Sequence, residues 1–175
     1  PTALGPLTGI STGNDHTLAL KADGTVIAWG HNTYGQTSVP NGLSGVVAVQ
    51  AGDALSVALK SDKTVVAWGG YSSSMPAGLS GVEKIAARDK HVLALKSNGT
   101  VVAWGGNNAG QKTIPADLSG VTAIAAGGMN TVALVAERVA VIQDLPAFRV
   151  FEVGSPVTFS GRVAKVDSYQ WYRNG

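Results

Sequence analysis

Cysteine is absent from the 175 residues, which excludes a disulfide framework and thiol chemistry and leaves the redox compartment open. No apolar stretch approaches the ~18 residues of a membrane-spanning helix, so no membrane insertion is expected. Charge is sparse: 14% of residues are charged, and 13 basic against 11 acidic residues give a formal +2. No run of Lys or Arg exceeds two, so a nucleic-acid or anionic-membrane partner has no electrostatic footprint. The start, Pro1-Thr2-Ala3-Leu4-Gly5, lacks the basic and apolar regions of a signal peptide, and is expected to be a mature or internal start. Only three histidines are present, and no cluster of His or carboxylates has metal-ligand spacing. No cofactor and no metal are expected.

What is present is hydrophobic and glycine-rich. Hydrophobic residues make up 45% of the chain and Gly numbers 23, without a collagen-like period. That combination with Val, Thr and Ala predicts many short strands joined by tight turns. Internal repetition then decides the architecture. HTLALKADGTVIAWG from His16, LSVALKSDKTVVAWG from Leu55 and HVLALKSNGTVVAWG from His91 superpose, and a fourth copy begins as GGMNTVALVAE at Gly127. Trp29, Trp68 and Trp104 are spaced 39 and 36 residues apart. The difference lies in one loop: GHNTYGQTSVP and GGNNAGQKTIP are three residues longer than GGYSSSMP. The units run 4–42, 43–78 and 79–117, with a partial unit 118–136.

In the third unit, residues 82–87, 92–96 and 100–105 are apolar or β-branched runs that read as strands. Asn98-Gly99 is a hairpin signal, as is Asp23-Gly24 in the first unit, because Gly supplies the positive φ of such turns. Lys63 stands at that position in the second unit, and a distorted or more mobile turn is expected there. The strands are apolar at nearly every position, which suits sheets covered on both faces. One unit cannot bury both faces alone, so neighbouring copies must stack.

The string LALKxDGTVxAWGxNxxGQ, followed by a Pro-containing segment and LSGVxAIAAG, resembles the regulator of chromosome condensation repeat. Its bacterial form is similar to the repeats of the propeller-type β-lactamase inhibitor. The resemblance covers residues 4 to about 136 and implies an all-β fold of propeller blades, four-stranded and commonly seven in number. Seven such units need roughly 265 residues, so about 3.5 repeats make a partial propeller. Completion by oligomerisation or by further chain is expected.

Composition shifts after Ala136. Arg138, Arg149, Arg162 and Arg173 and all three phenylalanines lie beyond it. VGSPVTFSG and SYQWYRNG resemble the first strands of a bacterial immunoglobulin-like domain, with Trp171 as its core residue. Residues 137–175 are expected to be a linker and a partial immunoglobulin-like segment.

No residue set suggests catalysis, and no enzyme is expected. His16 and His91 share one repeat position, where a packing or hydrogen-bonding role is expected. Trp29, Trp68 and Trp104 end apolar strands and read as core rather than as a stacking platform. Candidate binding residues are those that vary between fixed positions. They are Asp15, Asp53, Asp89 and Lys90 before the second strand of a unit, and His31, Tyr34, Tyr71 and Asn107 after the Trp. The expected function is protein–protein interaction or a structural role, as a module of a bacterial secreted or cell-surface protein. The expected partner is a protein or a second copy. A glycan bound by the blade-end loops is the alternative. The resemblance also implies β-lactamase inhibition or guanine-nucleotide exchange, but only Tyr34 and Tyr71 are aromatic in these loops, against the aromatic-rich loops of the inhibitor.

Overall fold

The computed structural model describes residues 4–135 and 148–152. It is all-β and contains four three-stranded sheets. The first is β1 (Leu7–Thr12), β2 (His16–Lys21) and β3 (Val26–Gly30). The second is β4 (Val46–Ala51), β5 (Leu55–Lys60) and β6 (Val65–Gly69), and the third β7 (Val82–Arg88), β8 (His91–Lys96) and β9 (Val101–Gly105). In the fourth, β10 (Val121–Ala126) and β11 (Thr131–Val135) are antiparallel, while β12 (Phe148–Glu152) runs parallel to β11. The immunoglobulin-like reading of the C-terminal segment, Trp171 included, lies outside the described residues apart from β12.

The antiparallel pairing repeats residue for residue. Each inner strand carries a bulge at the same place, between Leu7 and Gly9, Val46 and Ala48, Val82 and Lys84, and Val121 and Ala123. The hairpin turns repeat as well. Asp23, Asp62 and Asn98 each accept from the backbone N–H and the hydroxyl of Thr25, Thr64 and Thr100. Lys63 does not distort its turn, contrary to expectation: its φ of 67° matches 78° at Gly24 and 76° at Gly99. Its N–H bonds Lys60 O at 3.0 Å, as Gly24 N–H bonds Lys21 O. Its ammonium pairs with Glu83 at 2.6 Å, so the side chain finds a partner on the next blade.

The resemblance implied four strands per blade; these sheets have three. After Trp29 the chain makes consecutive turns instead, closed by Gly35 N–H to Asn32 O, Ser38 N–H to Gly35 O and Leu43 N–H to Pro40 O. Pro40 has no N–H for a ladder, and Gly35, Gly42 and Gly45 sit at φ of 79°, 77° and 66°, outside strand geometry.

The sheets stack face to face. The trailing face of the first packs Leu18 and Leu20 on Val46, Val49 and Trp68 of the second. The same contact recurs between Leu55, Val57 and Leu59 and the next sheet's Val82, Ile85 and Trp104. It recurs again between Leu93 and Leu95 and Val121, Ala133 and Val135. Backbone bonds reinforce this order, since the turn carbonyls of Gly24, Lys63 and Gly99 accept from Val46, Val82 and Val121 N–H at 3.0–3.1 Å. The inner strands β1, β4, β7 and β10 adjoin one another in sequence. β5 and β8 are buried at every position but the terminal Lys, as expected for sheets covered on both sides. Trp29 departs from the core expectation. Trp68 and Trp104 are buried under a preceding blade, whereas Trp29 is half-buried because none of the described residues stacks on that face.

Candidate interaction surface at the loop end

All eight candidate binding residues lie at one end of the blades. In each of the first three blades the turn before the middle strand is tied to the loop after the Trp by one backbone bond. His31 N–H bonds Asp15 O, Gly70 N–H bonds Ala54 O, and Gly106 N–H bonds Lys90 O, at 2.7–2.8 Å. The turns also interlock across blades: Asp53 N–H bonds Asp89 O at 2.6 Å, and Asn14 donates to the Asp53 carboxylate at 2.9 Å. Gly13 and Gly52 permit that approach. A Cβ on Gly13 would collide with Gly52 O, and one on Gly52 would lie 2.5 Å from Asp89 O. Arg88 holds the corresponding place in the third blade and is exposed.

The inner-strand ends enclose an open cleft of about 540 Å³, lined among others by Asn14, Gln50, Arg88 and Asp89 with the small Ala51 and Ala87. Asp15, Asp53 and Asp89 do not converge. Among the described residues no group of three or more His or carboxylate side chains is placed to hold a metal.

The loop candidates separate into two kinds. His31 is held within its own loop, its Nδ1 accepting from Gln36 Nε2 at 3.2 Å and its Nε2 meeting Thr33 Oγ1 at 2.7 Å. Asn107 Oδ1 accepts from Lys112 N–H at 2.9 Å and shapes the third blade's loop, as Asn32 does through Thr37 in the first. Tyr34 and Tyr71 instead point outward, 64% and 44% exposed. They sit on adjacent blades, and a methyl group on Gly70 would lie 3.7 Å from Tyr34 Cβ. Tyr71 has φ of 61° and opens the short 3-10 turn Ser72–Ser74 that replaces the longer loop.

Gln36 and Gln111 were not among the candidates, yet they organise the junctions between blades. Gln36 is 1% exposed, and its carbonyl accepts from Ser56 Oγ at 2.7 Å and Trp68 Nε1 at 2.9 Å of the next blade. Because the single Ser56 hydroxyl hydrogen is committed there, His16 Nε2–H is the donor in the 2.9 Å contact with Ser56 Oγ. His16 therefore carries a proton on Nε2. Burial holds it below the ordinary histidine value, partly offset by Asp53 and Asp15. The third-to-fourth junction repeats the arrangement: Thr131 Oγ1 donates to Gln111 O at 2.6 Å and meets His91 Nε2 at 3.3 Å. Burial lowers His91 likewise, opposed by Asp89 and Asn130.

The middle junction is apolar. Leu55 replaces the His, Val92 replaces the hydroxyl, and the shortened loop has no Gln. Trp104 Nε1 is consequently buried with no acceptor among the described residues. The signal was in the sequence as a three-way covariation of His, Ser/Thr and Gly-Gln, but it joins residues of successive units and is invisible within one.

Comparison with known proteins agrees with this geometry. The regulator of chromosome condensation (RCC1) repeat matches residues 8–36 and 82–111, within the two blades whose loops carry Gly-Gln, and both matches end at that Gln. No curated protein matches the chain. Among solved structures, yeast RCC1 (Prp20) crystallised with Kap60 has a TM-score of 0.63 at 20% identity, over 76% of this chain and 42% of that one. The CRINKLY ectodomain of the Arabidopsis thaliana receptor kinase ACR4 has 0.64 at 19%, over 75% and 48%. The ectodomain of the Physcomitrella patens receptor kinase CR4 has 0.57 at 25%, over 71% and 37%. The fold is a partial β-propeller. The chain spans less than half the length of these neighbours.

Proposed function

We propose that this chain is a non-enzymatic protein-interaction module that engages its partner at the loop end of the blades. The observation that carries this reading is the pair Tyr34 and Tyr71, two exposed aromatic side chains on adjacent blades. Tyrosine offers a large amphipathic contact with few rotamers to freeze, and such residues dominate interface energetics. The yeast neighbour Prp20 is described bound to Kap60, and in its binding to Gsp1p and histones, so a propeller of this kind does present surfaces to proteins. A secreted or surface setting belongs to the same proposal.

The test is selection of a displayed peptide library on the immobilised chain, in parallel with a glycan array. Enriched peptides whose binding weakens at least tenfold in Tyr34→Ala/Tyr71→Ala support the reading. Glycan hits without peptide enrichment would replace it with carbohydrate recognition. Unchanged peptide binding by the double variant would remove the tyrosines from the site.

A further inference from the structure

The turns at the loop end overlap like shingles, and the third blade breaks the pattern at one residue. Gly13, Gly52, Arg88 and Gly127 hold the same place in the repeat, directly after the last paired residue common to all four inner strands. At Gly13 and Gly52 a side chain has no room, because the carbonyls of Gly52 and Asp89 in the following turn stand where a Cβ would lie. Among the described residues no backbone bond joins the third turn to the fourth, and there arginine takes the place of glycine. The next residue departs from the repeat as well. Asp89 has φ of 48°, a left-handed value that the equivalent Asn14 and Asp53 do not adopt. Non-glycine residues in that region are strained and persist where their surroundings enforce them. Here the strained turn delivers Asp89 O to Asp53 N–H at 2.6 Å, and it fixes Arg88 opposite His91 at the end of β7.

Arg88 is the one cationic residue among those lining the 540 Å³ cleft, which all four sheets help to form. The small Ala51, Ala87 and Ala126 leave space around it, and Gln50 adds a carboxamide. Ion pairs among the described residues join Lys21 to Asp23, Lys60 to Asp62 and Lys63 to Glu83, and Arg88 takes part in none of them. The neighbouring acids are otherwise engaged: the Asp53 carboxylate accepts from Asn14 at 2.9 Å, and the charge of Asp89 acts on His91. We propose that the cleft receives an acidic side chain of a peptide partner, its carboxylate paired with the Arg88 guanidinium. This inference rests on the loop-end interaction reading and adds to it the chemistry of the partner. A guanidinium presents a planar fork that matches both oxygens of a carboxylate. An exposed pair of this kind contributes little, but one formed inside a cleft is less screened by water. Because Asp89 also lines the cleft, a singly charged carboxylate suits it better than the greater charge of a phosphate.

The test uses peptides enriched from a random displayed library on the immobilised chain, resynthesised with amidated C-termini so that only side chains supply a carboxylate. Each is also made with its Asp and Glu replaced by Asn and Gln. The enriched peptides are expected to share an acidic residue at a recurring position. Arg88→Gln should weaken their binding roughly tenfold or more, the range of a charge-assisted pair. Amidation of the peptide's acidic residue should weaken binding to the wild type by a similar factor, and the two losses should not add. Arg88→Lys, which keeps the charge without the fork, should recover part of the affinity. Since Arg88 is exposed, circular dichroism of these variants should match the wild type. Additive losses, or an acid requirement retained in Arg88→Gln, overturn the pairing. Neutral peptides that depend on Tyr34 and Tyr71 but not on Arg88 overturn this inference and leave the loop-end reading standing. A library with no enriched peptide overturns both.

Discussion

Trp68 and Trp104 occupy one repeat position and are equally buried, yet only one indole N–H has an acceptor. Their truncation should therefore differ. Trp68→Phe removes a donor from the Gln36 carbonyl, whereas Trp104→Phe removes a buried donor that has no partner. Urea denaturation is expected to show Trp68→Phe as the more destabilising by about 1–2 kcal/mol, since both lose similar apolar area. Lys63 provides a second contrast. A non-glycine residue in the left-handed region costs about 1 kcal/mol, against which glycine adds unfolded-state entropy and loses the exposed Glu83 pair. Lys63→Gly should therefore raise stability by only about 0.5 kcal/mol, read from the thermal midpoint. The sequence marked Lys63 as the odd residue of its turn, but the expected distortion did not follow. Three flanking contacts, the Asp62–Thr64 pair, the Lys60 carbonyl and the Val82 N–H, over-determine the turn and hold it in the shape glycine adopts elsewhere.

The junctions between sheets are where local propensity stops being informative. Strands and hairpins were legible because short apolar runs, Asp-Gly and Asn-Gly act within a unit. The third strand, where the chain was expected to add a fourth, was limited by Pro40 and the glycines that follow the Trp. The junction chemistry was not legible, because it links the His of one unit, the Gln of its loop and the hydroxyl of the next. It makes a pH prediction. His16 and His91 are held below their unfolded value near 6.5, so the unfolded chain binds more protons as acid is added. Stability is full above that value and falls as pH drops below it. The thermal midpoint is expected to decline between pH 7 and 5. The decline should shrink in His16→Leu/Ser56→Val, which copies the apolar pair Leu55 and Val92. An unchanged slope in that variant would take His16 out of the account.

At the scale of the molecule, the number of blades and their order were readable from three superposable segments. What lies at the two ends was not, because an uncovered face has the same sequence as a covered one: Ile10 and Ile85 differ only in what stands in front of them. Stability in stacked repeats is a sum of unit and junction contributions, so end units open more readily. In dilute solution, amide exchange should be slowest in β5 and β8, and faster in β2 and β11, each of which has a stacked sheet on one side only among the described residues. Equal protection in all four strands would mean that both ends are covered even then. The alternation of polar and apolar junctions has a consequence for how such a chain can change length. Removing the second and third blades together would bring the Gln36 loop against Thr131, a matched hydroxyl. Removing the third alone would set Thr131 behind Leu55 and the short loop, with its hydroxyl facing no carbonyl. The unit that can be removed with its junction chemistry intact is then a pair of blades, not a single one.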